Sequence, residues 1–200
     1  MSTTYRIVSI VLLVALLGAG GWYAYRHFTT RVPGLVSEEI VHEGDTWRAD
    51  FTALIPAPTA EVFDAIRNIE HSRSEQLRSV RIVASAGNTK TVELEMAAPA
   101  GQTVKTTLAF DYFPAENRIT YRTVASPTLD TRAEYQLSDA GGGSTLLKYH
   151  QQTRMLQNVP LPDGLMKQVI RGIFVAQLQG LRRSLNLQFA DEPDEEVVVP

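Results

Sequence analysis

Six short segments between residues 79 and 155 constrain the fold of this chain more than any other feature. Each has the length of a β-strand, and only a few residues of turn chemistry, such as Gly87-Asn88 and Gly141-Gly142-Gly143, separate one from the next. Parallel neighbours need a crossover of about a dozen residues, for which these separators leave no room. The sequence therefore predicts an antiparallel meander with strands at 79–86, 90–98, 103–113, 117–125, 129–138 and 144–155.

The last three segments alternate in polarity with a period of two, which is typical of a sheet covered on one face. Side chains predicted to face inward are apolar, hydroxyl-bearing or amide: Ile119, Tyr121, Thr123, Leu129, Thr131, Ala133, Tyr135, Leu137, Leu147, Tyr149, Gln151, Thr153 and Met155. Those predicted to face outward are mostly charged, and Arg122, Arg132 and His150 are among them. The sequence thus predicts a concave apolar face with hydroxyl groups and a convex charged face.

Other elements flank this meander. Thr46–Leu54 alternates as a strand, and Pro56 and Pro58 end it before a short amphipathic helix that includes Val62 and Phe63. A second short helix is predicted at 70–77, and one long amphipathic helix is predicted at 162–189. The predicted class is α+β, in the order β-α-α-β6-α.

The stretch that follows the first strand carries a family resemblance. Ile55, Ala57, Pro58, Val62, Phe63 and Ile66 match the pattern I-x-A-P-x-x-x-V-[FW]-x-x-[IL]. Together with the element order, this stretch resembles the START-like, Bet v 1-like superfamily, also called SRPBCC or polyketide cyclase/dehydrase-like. The resemblance covers residues 46–189. It implies a helix-grip fold, in which a curved seven-stranded antiparallel sheet wraps around the long C-terminal helix and leaves a hydrophobic cavity between them.

The resemblance and the inward-facing hydroxyl groups together indicate a binding site. A solid core uses few hydroxyls, because each needs a partner when buried, whereas a pocket can use them to orient a mostly apolar ligand. The residues predicted to line the site are Met96, Leu108, Phe110, Tyr121, Thr131, Tyr135, Tyr149, Gln151, Ile173 and Phe174.

The N-terminus predicts a membrane anchor. Residues 7–25 contain no charged side chain, and as a helix they would extend about 28 Å, close to the thickness of a bilayer's hydrocarbon core. Trp22, Tyr23 and Tyr25 cluster at one end, as interfacial aromatics do. The predicted organisation is an anchor at 1–29, a linker at 30–45, the START-like domain at 46–189 and a disordered acidic tail at 190–200. The predicted location is a membrane, with a single N-terminal span; Arg6 on one side and Arg26 on the other leave its orientation open.

Composition excludes several kinds of chemistry. The chain has no cysteine, so disulfides and thiolate chemistry are excluded. The four histidines lack metal-ligand spacing, and neither a metal site nor a cofactor is predicted.

The net charge of the domain argues against a nucleic-acid partner. Two of the 19 basic residues lie in the first 30 positions and five of the 22 acidic residues lie in the last ten, so residues 31–190 carry no net charge. A neutral domain without a basic stripe is a poor nucleic-acid binder, and no nucleic-acid partner is predicted.

Three functions follow as expectations. The first is membrane-anchored binding, transport or sequestration of a hydrophobic or amphipathic small molecule such as a lipid, a sterol-like compound or a quinone. The second is a cyclase- or aromatase-like activity, which rests on the resemblance alone, and no catalytic residue is assigned for it. The third is an accessory protein-interaction domain whose cavity is filled by its own side chains. Glu93 and Glu95 share a strand face with Thr89 and Thr91, which predicts a solvated surface and not a catalytic pair.

The anchor can be tested by alkaline carbonate extraction of membranes from cells that express the full-length chain. Residues 7–25 predict that the protein stays in the pellet and keeps its full mass, because an uncharged span of this length does not leave the bilayer when surface charges are titrated. Release into the supernatant, or a mature mass that lacks about 25 residues, would contradict the anchor.

Overall fold

The fold of this chain is given by a computed structural model that describes residues 32–68, 77–97, 103–156 and 162–187. Eight antiparallel strands form one sheet in the order β1-β2-β8-β7-β6-β5-β4-β3. The strands are β1 Leu35–Glu43, β2 Thr46–Ile55, β3 Leu77–Ala86, β4 Thr89–Ala97, β5 Thr103–Phe113, β6 Arg118–Ala125, β7 Leu129–Gly141 and β8 Ser144–Met155. The helices are α1 Thr59–Arg67 and α2 Asp163–Ser184, and one 3-10 turn spans Pro114–Glu116. The architecture is the predicted α+β helix grip.

The six predicted strands of the meander are confirmed with small changes at their ends. Each pairs with its neighbour in the chain, and β8 returns to pair with β2. Hairpin chemistry explains the turns: Gly141, the last residue of β7, and Gly142 and Gly143, which follow it, all have positive φ angles. Asn117, with φ 49°, ends the 3-10 turn before β6 in the left-handed region that Asn tolerates better than most residues.

The predicted count of seven strands is wrong, because β1 precedes the first predicted strand. β1 lies inside 30–45, the segment predicted as a linker, and pairs with β2 from Glu43↔Thr46 to Leu35↔Ala53. Its side chains are mostly exposed, so it lacks the buried alternation by which a strand is recognised from sequence. Backbone pairing along an existing strand, and contacts with α2 described below, stabilise it instead.

Three further predictions fall outside the description, and one of them is the disordered acidic tail at 190–200. Residues 7–25, predicted as a membrane span, precede the described part of the chain, and neither α1 nor α2 is long and apolar enough to cross a bilayer. The second short helix, predicted at 70–77, lies almost wholly in the undescribed residues 69–76, and Leu77 is the first residue of β3.

The core lies between the concave face of the sheet and α2. The helix buries Met166, Ile170, Phe174 and Leu178, which are spaced four residues apart and so form one stripe along it. The Phe174 ring stacks on Phe51 of β2, with centroids 4.2 Å apart, and on Tyr149 of β8 at 5.2 Å. These ring contacts place α2 over the β2–β8 half of the sheet.

Strand β1 runs along α2 in the opposite direction and is tied to it at three levels. His42 Nδ1 lies 3.2 Å from the Asp163 carboxylate, and the Arg171 guanidinium lies 2.7 Å from Glu38. At the far end Arg182 donates to the Pro33 carbonyl over 3.4 Å. The nine-residue strand and the helix between Asp163 and Arg182 both extend about 30 Å, so the two elements match in length.

Helix α1 lies at one end of the sheet, and we call this the α1 end. Thr145 at the start of β8 donates to the Ala57 carbonyl over 2.7 Å, and Phe63 of α1 packs edge-on against Tyr112 of β5. The opposite end of the sheet, which we call the open end, holds the last residues of β4 and β8 and the first residue of β5.

The stack of Phe174 on Phe51 and Tyr149 should dominate the stability of the helix–sheet contact. Because Phe174 is only 2% exposed, we expect Phe174→Ala to lower the free energy of unfolding by about 3–5 kcal/mol. Ile173→Ala is the matched control one position away, where the side chain is 40% exposed and should cost less than about 1 kcal/mol. Urea unfolding followed by circular dichroism measures both, and equal losses would contradict the assigned face of α2.

Candidate functional site

The concave face carries rows of aromatic residues, because residues that pair directly across antiparallel strands point to the same side. Phe51, Tyr149, Tyr135, Ile119 and Tyr112 form one continuous row across five strands. The next row towards the open end contains Ala49, Gln151, Ala133, Tyr121 and Phe110. All ten side chains are buried. The pairing register thus collects side chains from β2, β5, β6, β7 and β8 into one wall under α2.

A chain of hydrogen bonds runs along this wall. The Tyr121 and Tyr149 hydroxyls are 2.6 Å apart, and Tyr149 donates to Gln151 Oε1 over 2.7 Å. Because Tyr149 donates its single hydroxyl proton to Gln151, Tyr121 must be the donor in the bond between the Tyr121 and Tyr149 hydroxyls. Gln151 Nε2 then donates to Thr153 Oγ1 over 2.6 Å, and Thr153 shares a 3.0 Å bond with Thr131. We call these five residues the polar row.

Tyr135 lies beside the polar row and leads to the surface. Its ring is 4.7 Å from the Tyr149 ring and 6.1 Å from the Tyr121 ring, measured between centroids. Its hydroxyl donates to Gln177 Oε1 of α2 over 3.1 Å, and Gln177 is exposed. Tyr135 therefore connects the buried wall with a polar group at the edge of the helix.

Burial sets the protonation of these tyrosines. It raises the pKa of Tyr121, an effect that the hydrogen bonds with Tyr149 and Gln177 partly offset. It raises the pKa of Tyr135 and of Tyr149 well above the ordinary value, and the neighbouring tyrosines add to the increase. All three remain neutral phenols near pH 7, so they can donate hydrogen bonds but are poor bases. Among the residues that the structure describes, no carboxylate or imidazole bonds to their hydroxyls.

The structure brings together most of the residues predicted for the site. Phe110, Tyr121, Thr131, Tyr135, Tyr149, Gln151 and Phe174 are all buried in the wall or against it. Leu108 is partly buried, and its neighbour across the sheet is Thr123. The backbone of Met96 pairs with Val104 in the ladder, while its side chain lies outside the description.

Ile173 does not join them. The sequence predicts that Ile173 and Phe174 both face the tyrosines, but consecutive residues of a helix point about 100° apart, and the structure turns Phe174 inward. Phe51, Thr153 and Gln177 were missed as site residues. The alternation of β8 already marked Thr153 as inward-facing, and Phe51 lies within the alternating segment Thr46–Leu54, whereas no pattern in the sequence distinguished Gln177.

Metal chemistry has no visible basis in this wall. No group of three His, Asp or Glu side chains with metal-binding geometry occurs in the described ranges. His42, on the concave face, stacks flat on Trp47 with centroids 4.1 Å apart, and His150 bonds to Asp50 over 2.7 Å. Both histidines therefore have structural partners.

Buried neutral tyrosines make stability sensitive to alkali. The pKa of Tyr135 is raised in the folded state, so its contribution is fully present below about pH 10, the unfolded value, and is lost as pH rises towards the folded value. In that window the free energy of unfolding should fall by about 1.4 kcal/mol per pH unit for each such tyrosine. Tyr135→Phe should reduce this slope by that amount. Urea unfolding at pH 9, 10 and 11 measures it, and identical slopes for the two proteins would contradict burial of a neutral Tyr135.

Comparison with known proteins identifies the family. Residues 46–186 match the sequence profile of the family described as polyketide cyclase/dehydrase and lipid transport. No match is found among curated proteins.

Among solved structures the chain resembles the Zhui aromatase/cyclase from Streptomyces sp. R1128, with 16% identity, a TM-score of 0.60 and coverage of 70% of this chain and 94% of that one. It also resembles a START superfamily protein from Mycobacterium smegmatis, with 17% identity, a TM-score of 0.59 and coverage of 70% and 99%. At these identities the structures support the fold, and the profile match over most of the chain shows that it belongs to the polyketide cyclase/dehydrase and lipid transport family.

Proposed function

We propose that this domain binds a mostly apolar small molecule with one or a few polar groups, in the space between the concave face and α2. The observation that carries the proposal is the polar row, a continuous line of hydroxyl and amide groups inside a wall that is otherwise aromatic. The class of ligand is a lipid, a sterol-like compound or a quinone, each of which has a large apolar surface and few hydrogen-bonding groups.

The polar row suits ligand orientation better than stability. A core of this size could pack with apolar residues alone, and burying a hydroxyl gains little even when it is bonded. Tyr121 donates to Tyr149, so its bond with Gln177 is one that its oxygen accepts. A ligand hydroxyl could take the place of exposed Gln177 and donate to that oxygen. Apolar contact would supply about 25 cal/mol per Å² of buried ligand surface, less the cost of ordering the ligand.

The route for the ligand follows from the position of α2. The helix contacts side chains of β1, β2, β7 and β8: Arg171 meets Glu38, Phe174 meets Phe51 and Tyr149, and Gln177 meets Tyr135. On the other half of the sheet Val80, Leu94 and Leu108 are only partly buried. These three lie on β3, β4 and β5, and Val80 and Leu94 pair directly near the open end. An apolar ligand would enter there, between α2 and this half of the sheet.

The cyclase-like alternative has weaker support at the site. The family's name includes cyclases and dehydrases, and one structural neighbour is an aromatase/cyclase. Acid–base catalysis needs groups with a pKa near the working pH, whereas burial raises the pKa of Tyr121, Tyr135 and Tyr149 away from it. Binding is therefore the better proposal, with the three neutral phenols as polar groups in an otherwise apolar wall.

We also propose that residues 1–29 hold the domain at a membrane. The support is the uncharged run at 7–25, and carbonate extraction tests it independently of the ligand. A membrane would supply apolar ligands that have little solubility in water. The proposal for the site does not depend on the anchor, because the concave wall is formed within residues 46–187.

Native mass spectrometry of the full-length protein, purified in a mild neutral detergent, tests ligand binding. We expect wild-type protein to retain one apolar molecule as a stoichiometric mass increment. Leu108→Trp should lose it, because a larger ring on the partly buried concave position fills the space that a ligand would use. Val124→Trp is the matched control, since Val124 lies on the adjacent strand β6 and is 52% exposed.

Stability decides between a cavity and a filled interior. If the space exists, Leu108→Trp should change the free energy of unfolding by less than about 1 kcal/mol, whereas overpacking a solid core typically costs about 1–3 kcal/mol. Wild-type protein without an increment, together with a strongly destabilised Leu108→Trp, would contradict the binding proposal. The filled accessory domain would then explain the polar row as internal structure.

A further inference from the structure

The convex face of the sheet, opposite the proposed ligand site, has a groove of its own. Its volume is about 310 Å³. The outward-facing residues that line it are Asp111, Thr120, Arg122, Arg132, Glu134, His150 and Gln152. They come from β5, β6, β7 and β8, so the middle of the sheet forms the floor of the groove. All of these outward-facing side chains are polar or charged, which favours a polar ligand, and Tyr121 and Ala133 complete the lining.

Two arginines meet in this groove. Arg122 of β6 and Arg132 of β7 are direct partners in the antiparallel ladder, which puts their Cβ atoms about 5 Å apart. Like charges directly opposite each other destabilise a sheet. The backbone ladder between β6 and β7 also ends at this pair, and beyond it the Thr131 N–H donates to the Thr123 hydroxyl over 3.0 Å.

Neither arginine has an ion pair or a hydrogen bond to any residue within the described ranges, and both are exposed. Other arginines on the same face do have carboxylate partners. Arg118 lies 2.9 Å from Glu116, and Arg154 lies 3.3 Å from Asp130. On this face, Arg122 and Arg132 therefore differ from Arg118 and Arg154, which have carboxylate partners.

The carboxylates and the imidazole that line the groove already have partners. Glu134 lies 3.6 Å from Arg118, Asp111 accepts from Thr89 over 2.7 Å, and His150 bonds to Asp50 over 2.7 Å. The Gln152 amide also has a partner, His150, 3.4 Å away. The groups left to bind a ligand are therefore the two guanidinium groups, with the Thr120 hydroxyl beside them. This set is cationic and rich in hydrogen-bond donors.

We propose that the Arg122–Arg132 groove binds the phosphate group of a soluble phosphate monoester. Such a group carries a charge between about −1.5 and −2 near pH 7, which two guanidinium groups can neutralise. The planar fork of arginine also matches phosphate oxygens in a bidentate arrangement. Bound phosphate would relieve the repulsion between the arginines. The groove has a volume of only about 310 Å³ and is bordered by Asp111 and Glu134, so a single soluble group fits it better than a layer of lipid headgroups.

Phenyl phosphate is a suitable probe for full-length protein in a neutral, phosphate-free detergent. Isothermal titration calorimetry at low ionic strength should give one saturable site per chain. Arg122→Gln and Arg132→Gln should each weaken binding at least about tenfold, since charge-assisted hydrogen bonds to phosphate are lost. Arg154→Gln is the matched control, because it removes the same charge from the same face at an arginine that Asp130 already pairs. It should weaken binding less than about threefold.

Thermal melting supplies a readout that does not depend on the calorimetry. Without ligand, Arg122→Gln should melt at the same temperature as wild type or higher, because it removes a like-charge contact. Phenyl phosphate should raise the melting temperature of wild-type protein and not that of Arg122→Gln.

Three results would overturn the proposal. They are no saturable binding of phenyl phosphate at millimolar concentration, an equal loss in Arg154→Gln, and a melting temperature of Arg122→Gln well below that of wild type. Flotation with phosphatidylcholine vesicles that contain phosphatidic acid distinguishes the source of the phosphate. If Arg122→Gln weakens vesicle binding while phenyl phosphate does not bind wild-type protein, the soluble ligand is wrong and the groove contacts lipid headgroups.

Discussion

The stack of Phe174 between helix and sheet is the contact on which the rest of this structure depends. It fixes the height of α2 above β2 and β8, because the rings of Phe51 and Phe174 lie nearly parallel with centroids 4.2 Å apart. Once α2 is fixed over that half of the sheet, Arg171 meets Glu38 and Gln177 meets Tyr135. The same placement leaves Val80, Leu94 and Leu108 less covered on the other half. One aromatic contact thus determines both where the domain is solid and where a ligand would enter.

The two faces of the sheet use polar groups in opposite ways. On the concave face the hydroxyl and amide groups of the polar row satisfy one another, and burial keeps the tyrosines neutral. On the convex face most charges pair with neighbours in the ladder, and Arg122 and Arg132 interrupt that pattern. Because strand residues alternate between faces, each strand of the middle sheet contributes to both sites. Tyr121 and Arg122, adjacent in sequence, belong to different sites on opposite sides of the sheet.

Most of the fold could be predicted from the sequence, because alternation and turn chemistry are local. Strands β5 to β8 were predicted nearly to the residue, and the inward positions of Tyr121, Tyr135 and Tyr149 followed from the period of two. Strand β1 could not be predicted in this way, since Arg171 and Glu38, which join it to α2, are 133 residues apart in the chain. Ile173 was placed wrongly because the broad apolar surface of α2 does not tell which of two adjacent residues faces the sheet. The hydrogen bonds of the polar row depend on side-chain geometry that no sequence pattern specifies.

Both ends of the described domain lie at the α1 end of the sheet. The Pro33 carbonyl accepts from Arg182, so the start of β1 and the last turn of α2 are neighbours. The open end is about 30 Å away along β1. Any tether on the N-terminal side of Val32 therefore joins the domain at its α1 end. The open end, with the proposed entrance, points away from this attachment. For such an entrance to face the surface that holds the tether, the whole domain must rotate about its attachment until the open end points towards that surface.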